Sequence, residues 1–456
     1  MATIVKKGPH ILCATSYAPT NIACIKYWGK RDASLNLPIN SSVSITLDMD
    51  DLRTVTTVTA SSTFKKDRLW LNGNEEDPEK NKRVQKVLSE IRKRITKDVV
   101  INRNNSETVT VSASDLKTYG VHIISYNTFP TAAGLASSAS GYACMVHALS
   151  NLFNVEETFE GELTTIARQG SGSACRSLYS GFVKWKMGSK VDGTDSIAVQ
   201  VAKKADWKNM EAIICVVSDK KKDVGSTGGM ASSVKTSKLL KHRAECIVDE
   251  RLEKIEKAYL KNDFETFGRI TMQDSNQFHA TCLDSFPPIF YMNDVSRDII
   301  QLVHKYNEMC GKIVAAYTFD AGPNAVIFVE KGNVPTLLKG LLSSFPSNDN
   351  GRIVSSLDET ILKIANLNGN INYEDDENKF LKWCKNILGT KYLNTTDSVK
   401  QFIHTRVGDG ASSANTDNAT NNDLHLADEF TGLPKEQYWK GGNLLNKKRD
   451  VIAKWG

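Results

Sequence analysis

Apolar and polar positions alternate most regularly near the start of the chain. Ser41 to Leu47 and Leu52 to Thr59 interleave aliphatic residues with Ser and Thr at period two, the pattern of sheet strands. A strand-like segment from Thr15 precedes them and turns at Pro19. Asp77-Pro78 supplies a helix N-cap and first-turn proline, and Val84, Val87, Leu88, Ile91 and Ile95 follow at helical spacing. His122 to Tyr126 reads as a short strand running into Phe129-Pro130. The small-residue loop Thr131 to Ser138 then feeds an apolar stretch, Tyr142 to Phe153, that predicts a helix. A further helix is predicted over about Phe159 to Arg168, ending at Gly170, with Gly170 to Arg176 as a second small-residue loop.

The pattern lapses into charge at Ala202 to Lys208 and restarts as a buried strand at Ile213 to Val217, which predicts two domains, 1–205 and 206–456. Ile247, Leu252, Ile255 and Tyr259 mark a helix in the second. Ile313 to Phe319, the turn Asp320 to Asn324 and Ala325 to Glu330 predict a hairpin. The expected fold class is therefore α+β. A polar loop is expected at about 406–422, too poor in apolar residues to bury a core, and 436–456 reads as an extra tail.

Composition narrows the class. Among 456 residues, 40% are hydrophobic and 24% charged, and no apolar run approaches the roughly 20 residues of a membrane span. The net charge of +6 is spread over 58 Lys+Arg and 52 Asp+Glu, which suits small anionic substrates and does not indicate nucleic acid. Nine scattered cysteines without a C-x-x-C pair argue for reduced thiols in the cytoplasm and against a zinc ribbon. The N-terminus lacks the features of a secretory signal.

Two nucleotide signatures are excluded by the glycines. Gly29-Lys30 is followed by Arg31 and Gly311-Lys312 by Ile313, so no G-x-x-x-x-G-K-[ST] exists; Gly170-x-Gly172 has Cys175 where a dinucleotide fingerprint needs glycine. Pro130 to Ser140 remains. Its small residues at a helix N-terminus would let backbone N–H groups approach a polyphosphate, or serve close packing. Arg176, among Ser171, Ser173 and two glycines, suits a two-pronged grip on a carboxylate or phosphate, although a lone arginine is more often a solvated surface residue. Asp320 is by itself an ordinary turn former, and Lys26 and Lys30 either bind phosphate or flank a strand. His279 has no second histidine at i+4 and is expected to satisfy local hydrogen bonds rather than bind metal.

Pro130-x-x-x-Gly134-Leu135-x-Ser137-Ser138 resembles the phosphate loop of the GHMP kinase superfamily. Ala18 to Asp32, Gly170 to Arg176 and Tyr317 to Asn324 narrow the resemblance to its mevalonate diphosphate decarboxylase family. Asp284 to Met292 and Thr431 to Lys435 add to it. The resemblance implies a ribosomal-protein-S5-like first domain packed on a ferredoxin-like second one, and a cytoplasmic homodimer. The implied reaction is ATP- and Mg²⁺-dependent conversion of 5-diphosphomevalonate to isopentenyl diphosphate.

Carried onto this chain, the family pattern makes Asp320 the catalytic carboxylate, and Arg176 the holder of the substrate carboxylate. Lys26 would lie against the ATP phosphates or the aspartate. Tyr27, Lys30 and Arg83 would bind the diphosphate, supported by Ser171, Ser173 and Thr227. Asn21, Trp28, Gly29, Gly172, Ala174 and Cys175 complete the implied substrate site. Pro130, Ala133, Gly134, Leu135, Ala136, Ser137 and Ser138 would hold ATP, with Ser138 also at the metal. A kinase that stops at the phosphorylated product, a monophosphate decarboxylase and an RNA-binding protein are the rival readings.

Overall fold

The computed structural model describes residues 3–4, 11–102, 108–129, 137–220, 222–347, 353–355, 379–393, 395, 397–414, 425–428 and 431–435. The period-two segments form two sheets. One runs in the order β1 (Leu12–Pro19), β4 (Arg53–Ser61), β7 (Gly120–Asn127), β5 (Arg68–Leu71), β6 (Asn74–Glu76), antiparallel except where β7 meets β5. The other runs β9 (Ala198–Ala202), β8 (Phe182–Trp185), β3 (Ser42–Thr46), β2 (Asn21–Ile25). Pro19 ends β1, and the chain crosses from the first sheet to the second within two residues.

Helix α1 (Lys82–Lys93) buries Val84, Val87, Leu88 and Ile91, the face its spacing predicts. Its start differs from the expectation. Asp77 and Pro78 open a short 3₁₀ turn, and Asn81 caps the α-helix, its side chain accepting from the Val84 N–H at 3.3 Å. Helix α2 (Ser137–Leu152) packs on β1 and β4, with Ala143, Ala148 and Leu149 fully buried. Helix α3 (Glu162–Gly170) ends at the predicted glycine. The second small-residue segment is a 3₁₀ helix, Gly172–Leu178, rather than a loop, and buries Ala174, Cys175 and Arg176.

The second half forms a five-stranded sheet in which β11 (Ala315–Phe319), β12 (Ala325–Glu330), β10 (Met210–Val216) and β13 (Gln401–Arg406) run antiparallel in that order, with Ile353–Ser355 added parallel to β13 at the edge. Helices α4 (Ser226–Thr236), α5 (Val248–Leu260), α6 (Phe264–Leu283) and α7 (Asp294–Cys310) accompany it. Asn293 and Ser296 form a reciprocal cap at the start of α7, and Gly311 closes it at φ +67°. Helix α6 packs on β11 and on β2, so one apolar core joins Ile22, Val43 and Phe182 to Tyr259, Phe267 and Phe328. The Phe182 and Tyr259 rings stack at 4.2 Å.

The expected polar loop at 406–422 needs correction over its described part. Val407 and Ala414 are buried, and Ser412–Ser413 pair antiparallel with Ser16 and Tyr17 of β1. Residues 415–422 and the tail 436–456 lie outside the described residues. Leu426 and Ala427 pack with Val55, Trp70 and Ile124 on the first sheet, and the Gly432 carbonyl accepts from His122 at 3.1 Å. Among the described residues no helix is long and apolar enough to cross a membrane.

Candidate active site

A cleft of about 520 Å³ opens where the two halves meet. It is lined by the end of β2 and the segment after it, the N-terminus of α2, the 3₁₀ helix at 172–178, the segment leading into α4, and the β11–β12 turn. Strong curvature at Lys26 to Gly29, where Gly29 takes φ +100° against the Ile39 side chain, turns consecutive side chains toward different walls.

Lys26 is 3% exposed, and its Nζ lies 2.7 Å from Asp320 Oδ1. Asp320 stands just after β11, its side chain 31% exposed to the cleft. The hairpin carries it there because β11 and β12 are paired up to Phe319↔Ala325, and Asp320 opens the turn that joins them. His279 packs behind the pair. Burial, with the Lys26 charge beside it, pushes its ring down to about 3, so it is neutral; it hydrogen-bonds the Phe319 backbone, while Nε2 has no hydrogen-bond partner among the described residues.

Arg176 is held along one edge of its guanidinium: Nε donates to Asn21 Oδ1 at 3.2 Å and Ser44 Oγ at 2.8 Å, and Nη1 donates to Ser42 Oγ at 2.6 Å. Asn21 is fixed in turn through its amide, which donates to Ser177 Oγ at 2.7 Å and the Ser173 carbonyl at 3.1 Å. Burial lowers the Arg176 pKa. Lys30 Nζ donates to Asn36 Oδ1 at 2.5 Å; burial lowers its pKa and Arg83 adds to the effect. Arg83 Nη2 reaches Thr227 Oγ1 at 2.7 Å, bridging α1 to α4. Tyr27 packs edge-on against Trp185, and burial raises its phenol. Trp28 Nε1 donates to Ser233 Oγ at 2.9 Å. Ser138 and Ser171 hydroxyls meet at 3.2 Å, so the two small-residue segments touch.

Most residues singled out from the sequence thus share one cleft, including Gly172, Ser173, Ser137 and Thr227. Gly29, Ala174 and Cys175 do not line it. Gly29 shapes the turn, while Ala174 and Cys175 are fully buried in the core beneath the wall. Pro130, Ala133, Gly134, Leu135 and Ala136 lie outside the described residues. Sequence reasoning missed Lys222, Ser226 and Asn36. Lys222 Nζ donates to the Ala321 carbonyl at 2.8 Å and to Ser226 Oγ at 3.1 Å, and burial lowers its pKa against the raising effect of Asp320. The signal was present: Gly225-Ser226-Thr227-Gly228-Gly229, which follows the run Lys220 to Lys222 after Asp223-Val224, is a third small-residue segment entering a helix. Asn36, at φ +52°, gave none.

Comparison with known proteins agrees with this geometry. Residues 18–198 match the diphosphomevalonate decarboxylase-like N-terminal domain, and 212–414 the mevalonate 5-diphosphate decarboxylase C-terminal domain. A diphosphomevalonate decarboxylase of Rattus norvegicus is 53% identical over 349 residues, covering 76% of this chain and 84% of the relative. The crystal structure of a mevalonate 5-diphosphate decarboxylase is 43% identical, with a TM-score of 0.75 over 92% of this chain and all of that one. Another solved structure, 27% identical with a TM-score of 0.64 over 89% of this chain and all of that one, is a complex with MVAPP, AMPPCP and magnesium. Two domain matches in sequence order, and a relative more than half identical over most of its own length, leave one assignment: the chain belongs to the diphosphomevalonate decarboxylase family of GHMP-kinase-fold proteins.

Proposed function

We infer that this chain converts (R)-5-diphosphomevalonate and ATP to isopentenyl diphosphate, ADP, phosphate and CO₂. The observation that carries the reading is a carboxylate and a buried lysine paired at 2.7 Å in a cleft whose other walls supply Arg176, Lys30, Arg83 and Lys222. A polyanionic substrate suits five cations set against two carboxylates, Asp223 and Asp320.

In this reading the C3 hydroxyl attacks the γ-phosphorus and its proton passes to Asp320 as ADP leaves. Phosphoryl transfer is loose, so the proton departs late and a carboxylate suffices as acceptor. The C3–O bond then breaks, phosphate leaves, and the C1–C2 electron pair becomes the new double bond as CO₂ is released. Asp320 opposes the positive charge that develops at C3. Arg176 orients the substrate carboxylate with the donors not engaged by Asn21, Ser42 and Ser44. Too strong an ion pair there would stabilise the ground state against loss of CO₂. Tyr27, Lys30 and Arg83 take the diphosphate, with Ser171, Ser173 and Thr227 in support.

Ser137 and Ser138, at the N-terminus of α2, suit the ATP phosphates through the N–H groups of the helix start and their hydroxyls. Among the described residues no group of His, Cys, Asp and Glu could hold a metal by itself, so a hard cation here would depend on phosphate oxygens, with the Ser138 hydroxyl nearby. Mg²⁺ supplies neutralisation of the phosphoryl oxygens when bound. We further propose domains at 1–205 and 206–456, the second sending 407–414, 425–428 and 431–435 back onto the first, in a cytoplasmic homodimer.

Incubation of the purified protein with ATP, Mg²⁺ and 5-diphosphomevalonate tests the reading. ADP and CO₂ released in equal amounts are expected. ADP without CO₂ would make the chain a kinase, and neither product would refute the assignment.

A further inference from the structure

The Lys26–Asp320 pair depends on two main-chain segments from different halves of the molecule, β2 and the β11–β12 turn. One helix touches both. On α6, Asp274 is wholly buried, and its Oδ1 accepts from the Lys26 backbone N–H at 2.8 Å. The next residue, Ser275, accepts at Oγ from the Phe319 backbone N–H at 3.0 Å. One turn on, His279 hydrogen-bonds the Phe319 backbone. Adjacent residues of a single rigid element therefore hold the peptide of the lysine and the peptide preceding the aspartate.

Asp274 is itself fixed by charge. Arg243, with no exposed side-chain surface, donates to both of its oxygens at 2.6 and 2.8 Å, and Arg251 adds a third contact at 3.0 Å. Arg243 also reaches past the carboxylate to the Lys26 carbonyl at 3.2 Å. Lys26 is thus gripped at its N–H and its C=O by the two members of one buried ion pair, while Arg251 touches neither group. A buried carboxylate with two guanidinium partners is costly to assemble and would be replaced by apolar packing if only stability mattered.

We propose that Asp274, Arg243 and Ser275 are positioning residues for the reaction. In this inference, which rests on the function proposed above, α6 acts as a jig that sets the separation of Lys26 and Asp320. None of the three lines the cleft. Their effect would be on turnover rather than on substrate capture, because misplacing a reacting group by a fraction of an ångström is felt in the transition state.

The test compares Ser275→Ala, Arg243→Lys and Arg251→Lys by steady-state ADP and CO₂ release, with thermal melts alongside. Ser275→Ala and Arg243→Lys are expected to lower kcat at least about fivefold while both KM values stay within about twofold, and Arg251→Lys to retain most of kcat. Equal kcat for Arg243→Lys and Arg251→Lys, or for Ser275→Ala and the parent, overturns the proposal. If Arg243→Lys does not fold, the single hydroxyl removed in Ser275→Ala decides. A parent without turnover overturns both readings, whereas an active parent with an unaltered Ser275→Ala overturns this one alone.

Discussion

Replacing Arg176 with lysine separates charge from geometry in the cleft. The substitution keeps one positive charge but cannot keep the fork. In the parent, Nε and Nη1 are committed to Asn21, Ser42 and Ser44, which fixes the guanidinium plane and leaves its remaining N–H groups for a carboxylate. A lysine ammonium has three donors on a flexible stem and no plane, so it cannot satisfy those three oxygens and also bind a carboxylate in parallel. Losing one charge-assisted hydrogen bond to the substrate costs about 1.5–3 kcal/mol. At about 1.4 kcal/mol per factor of ten, kcat/KM for 5-diphosphomevalonate should fall by roughly 10- to 150-fold.

Because Arg176 is 2% exposed, its neighbours also lose donors, and a melt is needed to show that the variant is folded at the assay temperature. The assay is coupled ADP release at saturating ATP, with the diphosphate substrate varied. The loss should appear in both KM and kcat for that substrate, with the KM for ATP little altered. A folded Arg176→Lys variant with kcat/KM within about threefold of the parent would show that charge alone suffices and that the fork has no role.

Three further outcomes are expected. Asp320→Ala should lower kcat by about 10³-fold or more with ATP and substrate affinity largely kept by calorimetry, and near-normal turnover would remove Asp320 from the chemistry. His279 is held neutral by burial, down to about 3, whereas an unfolded histidine titrates near 6.5; as pH falls through 6.5 only the unfolded chain takes up the proton, so stability is lost on acidification. His279→Gln should therefore flatten the dependence of the melting midpoint on pH, by up to about 2.5 kcal/mol between pH 6.5 and about 4.5, and parallel curves would contradict this. Gly432→Ala places a Cβ 2.4 Å from Phe64 Cζ at φ +63°, so the melting midpoint should drop by the equivalent of about 1–2 kcal/mol; an unchanged melt would mean that the packing of 431–435 adds nothing to stability.

The elements legible in the sequence are those whose pattern reports a local face. Val84, Val87, Leu88 and Ile91 mark α1 because only one side of it is buried, and β11 and β12 are legible because a tight turn joins two apolar runs. Periodicity does not say which face meets which. That β2 and β3 pack against α5, and β2 also against α6, is a pairing across more than 200 residues, invisible to a local window. The site follows the same division. Lys26, Arg176 and Asp320 fall in distinctive runs, whereas Asp274 and Arg243 lie in ordinary helical sequence and gain meaning only from the Lys26 peptide between them. His425, whose Nδ1 meets Thr15 Oγ1 at 2.7 Å, follows a polar stretch that concealed the return of the chain to the first sheet.

The charges in the cleft bear on a choice that the sequence leaves open for Lys26. Among the described residues that line the cleft, Lys26, Lys30, Arg83, Arg176 and Lys222 face Asp223 and Asp320, five cations against two carboxylates. Burial disfavours the charged forms of Lys30, Lys222 and Arg176, and phosphate oxygens arriving beside them would reverse that penalty. Without ligand, Asp320 is the acceptor within reach of Lys26 Nζ. An entering γ-phosphate offers a second, more highly charged acceptor. In the proposed reaction, transfer of the Lys26 bond toward phosphate would free the Asp320 oxygen to meet the substrate hydroxyl as the nucleotide is engaged. In that reaction Lys26 would not have to be assigned to the aspartate alone or to ATP alone: its ammonium would serve Asp320 first and the γ-phosphate afterwards, which would require its backbone to stay fixed while its side chain swings.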